Sequence, residues 1–232
     1  MAPDTWMRHR IVSKLAGDPR TLLDVGGVAG ELQAFMPRTR IVTANVQPGA
    51  DVLFDGTTLP FGDREFDAVV SLDVLEHVPP AGRQGHLDDI ARVAREVVVL
   101  CCPLGGPEHE AAERDLAAWH RAATGRPHRF LEEHLHNGLP TLEELRRLAE
   151  GSPAEFEVLF HGDFVDANEL FRLATEVKRR PRPSAVARYA AARFRPGRDT
   201  TLHPRPGPRT NRAYLVSRAL REPAAVDPAG PL

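Results

Sequence analysis

Cysteine is scarce in this chain: only Cys101 and Cys102 occur, side by side at the end of an apolar run. Neighbouring strand residues point to opposite faces and cannot readily pair. Reduced core thiols are therefore expected, which fits a cytoplasmic setting. No apolar run reaches the length of a membrane span. The opening MAPDTWMRHR has no apolar centre of the kind a secretory signal needs. No membrane partner is expected. Net charge is lacking too. It stands at -2, so no overall attraction to nucleic acid is expected.

What is present is length and a pattern. At 232 residues the chain fits one domain with an elaboration, and it can bury a sizeable core. The pattern centres on residues 21–30, TLLDVGGVAG, where Leu22, Leu23 and Val25 enclose Asp24 and glycines follow. A leucine-rich run followed by Gly-Gly-x-x-Gly reads as a buried strand ending in a tight turn. Glycine permits positive φ there and lets the backbone approach a ligand closely. Such a turn presents a nucleotide-like ligand at the carboxyl edge of a parallel sheet. The plainer alternative is a turn and nothing more. Asn45 closes the next apolar run, IVTANV, nineteen positions after Gly26. A ribose-binding residue is expected roughly 20 positions on.

Three segments then occur in order: LLDVGGVAG, DGTTLPF and FDAVVSLDVLEHVP. Together they resemble the class I S-adenosylmethionine-dependent methyltransferases, in the small-molecule, type 11-like branch, over about residues 20–102. The resemblance implies an α/β fold: a Rossmann-like sheet of six parallel strands plus an antiparallel seventh, with helices on both faces. It implies S-adenosyl-L-methionine as cofactor and a small-molecule methyl acceptor, with no nucleic acid, in a monomer or homodimer. Two departures stand out. The family's Asp-x-Gly-x-Gly-x-Gly has Val28 at its middle glycine, with Gly27 beside it, and the acid that usually closes the second strand is Asn45. Asn offers an acceptor and two donors. These departures support an alternative, a non-catalytic S-adenosylmethionine-binding scaffold or regulatory protein.

In chain order, residues 4–16 read as a helix capped by Asp4 and stopped at Gly17. Residues 1–20 are expected to cover the site. Strands are expected at 21–25, 40–46, 52–54, 66–72, 96–101 and 155–160. Helices fall at 30–36, after Pro79-Pro80, at 108–123 and at 141–151, the last opened by the capping box Thr141-Leu-Glu-Glu144. Alternating strands and helices imply a parallel sheet with right-handed crossovers. The seventh strand is expected at 213–217. Residues 21–161 and 212–221 would then form the cofactor-binding domain. Residues 162–211 form a basic, Pro-rich insertion with one helix opened by Asp166 and another at 184–194. It reads as a substrate lid or as a solvated linker. Residues 222–232 read as a disordered tail.

The resemblance assigns the cofactor to Asp24, Gly26, Gly27, Gly30, Asn45, Val46, Asp55, Gly56, Thr57, Ser71, Leu72 and Asp73. Asp24 meets the amino-acid part, Asn45 and Val46 the ribose and adenine, and Asp55 the adenine amino group. Ser71, Leu72 and Asp73 lie near the transferred methyl. Methyl transfer from a sulfonium needs proximity and alignment. It needs a base only where a hydroxyl must lose its proton. His77, just past the fourth strand, is the candidate catalytic base, since an imidazole titrates near neutrality. It could equally cap or pack the next helix. The segment Asp73-Val-Leu-Glu76-His77 is also similar to one that holds a divalent ion in quinone O-methyltransferases, but no metal ligands are assigned. Further base candidates are His109, His120, His128, Glu132, His134 and His136. O-methylation of a natural product, sugar or quinone-like ring is the leading reading. A nicotinamide enzyme would show Gly-x-Gly-x-x-Gly, and a nucleic-acid methyltransferase an aromatic-flanked Pro-Pro-Tyr pocket; neither is present.

Overall fold

The computed structural model describes residues 3–193 and 200–218. Its centre is a seven-stranded sheet in the order β3-β2-β1-β4-β5-β7-β6. The strands are β1 (Thr21–Val25), β2 (Arg40–Asn45), β3 (Val52–Leu53), β4 (Phe66–Leu72), β5 (Ala94–Pro103), β6 (Glu157–Asp163) and β7 (Thr210–Ser217). Pairs among the first five run parallel, and β7 runs antiparallel to both neighbours. The expected sheet of six parallel strands and one antiparallel strand is therefore borne out.

The central strands are rich in apolar residues because both of their faces are covered. Leu23, Val69, Leu100 and Cys102 look into one core layer. Leu22, Val70, Val99 and Cys101 look into the other. The two cysteines thus lie on opposite faces, buried and unbonded. Helix α1 (Pro3–Ala16) covers the second face through Ile11, Val12 and Leu15. Helices α2 (Arg83–Val93) and α5 (Leu142–Gly151) cover the first through Leu87, Ile90, Leu145 and Leu148. Thr141 caps α5 by accepting from the Glu144 backbone N–H. Beyond β5 come α3 (Pro107–Thr124) and α4 (Arg129–Asn137), and β6 leads into α6 (Phe164–Arg179) and α7 (Pro183–Arg193). No helix among the described residues is long and apolar enough to cross a membrane.

The structure differs from expectation in four places. The helix expected at 30–36 shrinks to one 3-10 turn, Leu32–Ala34. Gly30 sits at φ +86, and the Gln33 side chain donates to the carbonyls of Met36 and Thr39. That closes the segment as a loop before helix can propagate. The acidic, histidine-rich stretch before Gly138 forms α4, which was not assigned from sequence. Strand β6 starts two residues later than expected and continues to Asp163, so Asp163 rather than Asp166 caps α6, accepting from the backbone N–H of Val165 and Asp166. Finally, β5 extends at both ends and β7 begins at Thr210, because antiparallel pairing carries the ladder from Ser217 to Arg212. The tail at 222–232 lies outside the described residues.

Candidate active site

Strand order reverses between β1 and β4, and open α/β sheets bind ligands at the carboxyl ends flanking such a switch. There β1 breaks into its glycine turn. Gly26 takes φ +80 and donates to Ala44 O at 2.7 Å. A Cβ at Gly26 would fall 2.3 Å from Val74 Cγ2, and one at Gly27 would fall 2.1 Å from Asp24 Oδ2. The left-handed backbone favours glycine at Gly26, and a side chain at Gly27 would displace the Asp24 carboxylate. Asp24 is 1 % exposed, and neither carboxylate oxygen has a partner. Burial, with a smaller push from Glu31, raises its pKa to about 7. A buried acid with two unused acceptors, under a turn shaped for close approach, is suited to a cationic ligand group.

Asn45 ends β2 and faces the same turn. Its Nδ2 donates to Gly26 O at 2.8 Å and Gly27 O at 3.2 Å, while its Oδ1 accepts from Gln47 N. Val46 beside it is 54 % exposed, unusual for valine, and stands within 3.1 Å of where a Cβ on Gly56 would be. Asp55, Gly56 and Thr57 form an Asx turn. Asp55 Oδ1 accepts from the Thr57 N–H and hydroxyl, which holds its carboxyl below the ordinary range. Ser71 is buried and bonds His86 Nε2 at 3.0 Å. Burial lowers the His86 pKa to about 4, so the ring is neutral. Leu72 is half-buried.

Asp73, with φ +52, turns its carboxylate onto Arg8 of α1 and Arg212 of β7. Arg212 also donates to Asp4 Oδ2 at 2.9 Å, and Arg8 lies 3.4 Å from the same oxygen. Two acids and two arginines thus close a ring that ties α1, β4 and β7 together. Asp4, Arg8 and Arg212 also line a cleft of about 660 Å³, whose other walls include His161, Leu170 and Leu173. So α6 forms part of the cleft wall.

His77 lies on the 3-10 turn Leu75–His77. Its ring lies tilted against Phe130 and His134 of α4, at 5.1 and 4.9 Å between centroids. Its Nδ1 is 2.9 Å from Glu133 Oε2. Burial and the neighbouring His134 lower its pKa. Asn137 fastens the turn from α4 by donating to the carbonyls of Glu76 and His77. Of the other histidines, His134 joins His77, His109 is buried and bonded to Leu104 O, and His120 and His128 pack around Phe171.

The glycine turn, Asn45, Val46, Asp73 and His77 all gather at the carboxyl edge. Sequence reasoning missed Arg8, Arg212 and His86. The spacing of Asp4 and Arg8 on one helix face was a usable signal. Arg212 had none, since its place depends on the register of β7 against β5.

Comparison with known proteins bears on the fold. Residues 24–102 match the family model described as a methyltransferase domain. Proteins named "Uncharacterized methyltransferase" from Mycobacterium sp. strains JLS and KMS are 31 % identical over 129 residues, covering 47 % of this chain and 49 % of theirs. The chain thus spans about half the length of the curated relatives it matches. Among solved structures, Haemonchus contortus phosphoethanolamine N-methyltransferase 2, in complex with S-adenosyl-L-methionine, superposes with TM-score 0.55 at 12 % identity. That alignment covers 93 % of this chain and 53 % of the other. Geranyl diphosphate C-methyltransferase from Streptomyces coelicolor A3(2) gives TM-score 0.52 at 10 % identity, over 91 % and 80 % of the two chains. At such identities the likeness shows the fold, which is that of the class I methyltransferases.

Proposed function

We propose that this chain, which carries a methyltransferase domain at residues 24–102 on a class I methyltransferase fold, transfers a methyl group from S-adenosyl-L-methionine to an oxygen of a small molecule. The observation that carries the reading is Asp24. It is a buried carboxylate without partners, beside a glycine turn in which a side chain at Gly27 would fall on that carboxylate. The cofactor's ammonium supplies the missing partner, and its backbone-facing edge lies against Gly26, Gly27 and Gly30. Exposed Val46 offers an apolar surface to the adenine, and the exposed carboxylate of Asp55 accepts from the adenine amino group. Asn45 acts on the ribose side mainly by holding the turn. Ser71, Leu72 and Asp73 flank the methionine part.

The acceptor occupies the cleft between α1, β6 and α6, with α6 and α7 as its lid. Transfer is an in-line displacement. The acceptor oxygen forms a bond to the methyl carbon as the carbon–sulfur bond breaks, and the sulfonium becomes a neutral thioether. The hydroxyl proton passes to a base as the oxygen–carbon bond forms, and the imidazole of His77, at the carboxyl edge of the sheet, is the candidate that takes it. The protein otherwise contributes alignment and exclusion of water.

Calorimetric titration of S-adenosyl-L-methionine and S-adenosyl-L-homocysteine, with NADH as control, tests the cofactor. Micromolar binding, about -8 kcal/mol, with no response to NADH supports the reading. No binding of either sulfur compound removes it. Binding without turnover across a panel of hydroxylated acceptors would instead support the scaffold reading.

A further inference from the structure

Two buried donors that line the acceptor cleft have nothing to donate to. Arg212 and Tyr214 stand two apart on β7, so both side chains leave the same face of the strand. Both line the cleft of about 660 Å³. Arg212 is 8 % exposed and Tyr214 0 %. Arg212 turns its terminal nitrogens to Asp73 and Asp4, but its Nε has no hydrogen-bond partner. The Tyr214 hydroxyl has none either. Its polar neighbour is the thiol of Cys101, which faces it across the β5–β7 ladder. A thiol is a weak partner. Burial raises the Tyr214 pKa, so the hydroxyl keeps its proton and can donate, and it lies near enough to Arg212 to feel that charge.

A buried donor left unpaired weakens a fold, and phenylalanine would fill the same space without that penalty. The hydroxyl of Tyr214 therefore works against folding and is available to a ligand. The acids of the cleft leave no matching demand for a donor. Asp4 is paired with Arg8 and Arg212, Asp163 with Arg209, and Glu169 with Arg188. Asp166 is exposed on α6. What the buried part of the cleft lacks is a hydrogen-bond acceptor. Met7 of α1, with Leu170 and Leu173 of α6, makes much of the remaining wall apolar. Small-molecule sites combine such walls with a few polar groups that fix orientation.

We propose that the Tyr214 hydroxyl and Arg212 Nε together bind a carbonyl-type oxygen, that of a carboxylate or a ketone, carried on an apolar acceptor molecule. The inference rests on the methyl-transfer reading for placing the acceptor in this cleft, and it adds the acceptor's chemical class. Tyr214 is then a specificity residue. Two donors that converge on one oxygen select against an ammonium head, which has no lone pair to offer them.

The test titrates three probes that share one apolar body into the full chain at about pH 7: a naphthoate, an acetonaphthone and a naphthylmethylamine. Calorimetry should show the naphthoate or the acetonaphthone binding at least about tenfold more tightly than the amine. The order of the first two tells an anionic head from a neutral one. Tyr214→Phe should weaken the favoured probe roughly 3–10-fold, as expected for one lost hydrogen bond. Its Tm should stay level or rise, and its affinity for S-adenosyl-L-homocysteine should stay within about twofold. A hydroxyl that served only the fold would do the reverse, lowering Tm and leaving probe affinity unchanged, and that result overturns the subsite. Equal binding of the amine, or no binding of any probe, overturns it too. Leu170→Trp fills the cleft and should abolish probe binding while S-adenosyl-L-homocysteine still binds. Unchanged probe binding in that variant puts the probe elsewhere and overturns the proposal. The same titrations keep the two readings apart. Binding of S-adenosyl-L-homocysteine without probe binding removes only the subsite, and probe binding without S-adenosyl-L-homocysteine binding removes only the transferase reading.

Discussion

Asn45 holds the glycine turn by donating from one amide nitrogen to the carbonyls of both Gly26 and Gly27. The backbone N–H of Gln47 can only donate, so its bond to Asn45 Oδ1 fixes which way the amide faces. This gives the departure from an acidic residue a physical reason. A carboxylate in the same place would aim negative charge at two carbonyl oxygens. Asn45→Asp, a change toward the family pattern, should therefore weaken the protein. Two lost hydrogen bonds correspond to about 1–3 kcal/mol, or roughly 2–4 °C in Tm per kcal/mol. S-adenosyl-L-methionine affinity should fall about tenfold or more, because the turn would no longer be held. Calorimetry beside a melting curve checks both. Tighter cofactor binding in Asn45→Asp would show that the side chain serves the ribose and not the turn.

Asp24 makes stability and cofactor affinity depend on pH in opposite ways. Burial raises its folded pKa to about 7 from 3.8. The folded state thus holds a proton that the unfolded state releases at lower pH. Its contribution to stability is fully present below the unfolded pKa and is lost as pH rises through about 7. A cationic cofactor group favours the carboxylate, so S-adenosyl-L-methionine should bind more weakly as pH drops below about 7, approaching tenfold per unit. Asp24→Asn should flatten both dependences, be the more stable protein at pH 8, and bind the cofactor poorly. Chemical denaturation and calorimetry of both proteins across pH 5–8 measure this. Parallel pH profiles for the two proteins would exclude Asp24 as the source.

Arg83 is a buried arginine with every group used. It meets the Glu144 carboxylate through Nη1 at 2.9 and 2.8 Å, and it donates to the carbonyls of Val78, Asn137 and Gly138. It thereby fixes α2, α5 and the end of α4 around the turn that carries His77. Removing one partner of such a pair typically costs about 3–5 kcal/mol. Arg83→Ala should lower Tm by roughly 6–20 °C. Glu144→Gln, which keeps a hydrogen-bonding acceptor, should cost less. Equal losses in the two variants would mean that the carbonyl contacts contribute little.

The cofactor half of this protein was legible because it is local. Leu22, Leu23 and Val25 report burial on both faces, the glycines report positive φ and close approach, and Thr141 with Glu144 reports a helix start. The acceptor half was not. His134 meets Glu76 only because α4 docks across the chain through Asn137 and Arg83, and nothing in the spacing of either residue records that contact. Asp163 rather than Asp166 caps α6 because pairing with β7 draws β6 onward, a long-range effect that overrides the local capping signal. Arg212 was invisible for the same reason. A single arginine in a strand carries no sign that its partners are Asp4 and Asp73.

Asp4 offers a way to separate the acceptor cleft from the cofactor site. Its carboxylate meets Arg212 at 2.9 Å and Arg8 at 3.4 Å, and it lines the cleft at the start of α1. The arginines also hold Asp73, so charge at Asp4 helps set how firmly α1 sits against β7. Asp4→Asn keeps the shape of the side chain and removes its charge. Arg8 and Arg212 would then lose one of the two carboxylates they pair with, and the cleft would gain one positive charge. Coupling between contacting charged residues is typically about 0.5–3 kcal/mol. We expect KM for a neutral acceptor to rise several-fold while S-adenosyl-L-methionine affinity stays within about twofold. An acceptor bearing a carboxylate or phosphate should suffer less, or gain, from the added charge. A matching loss of cofactor affinity would show that α1 belongs to the cofactor site and that the acceptor lies elsewhere.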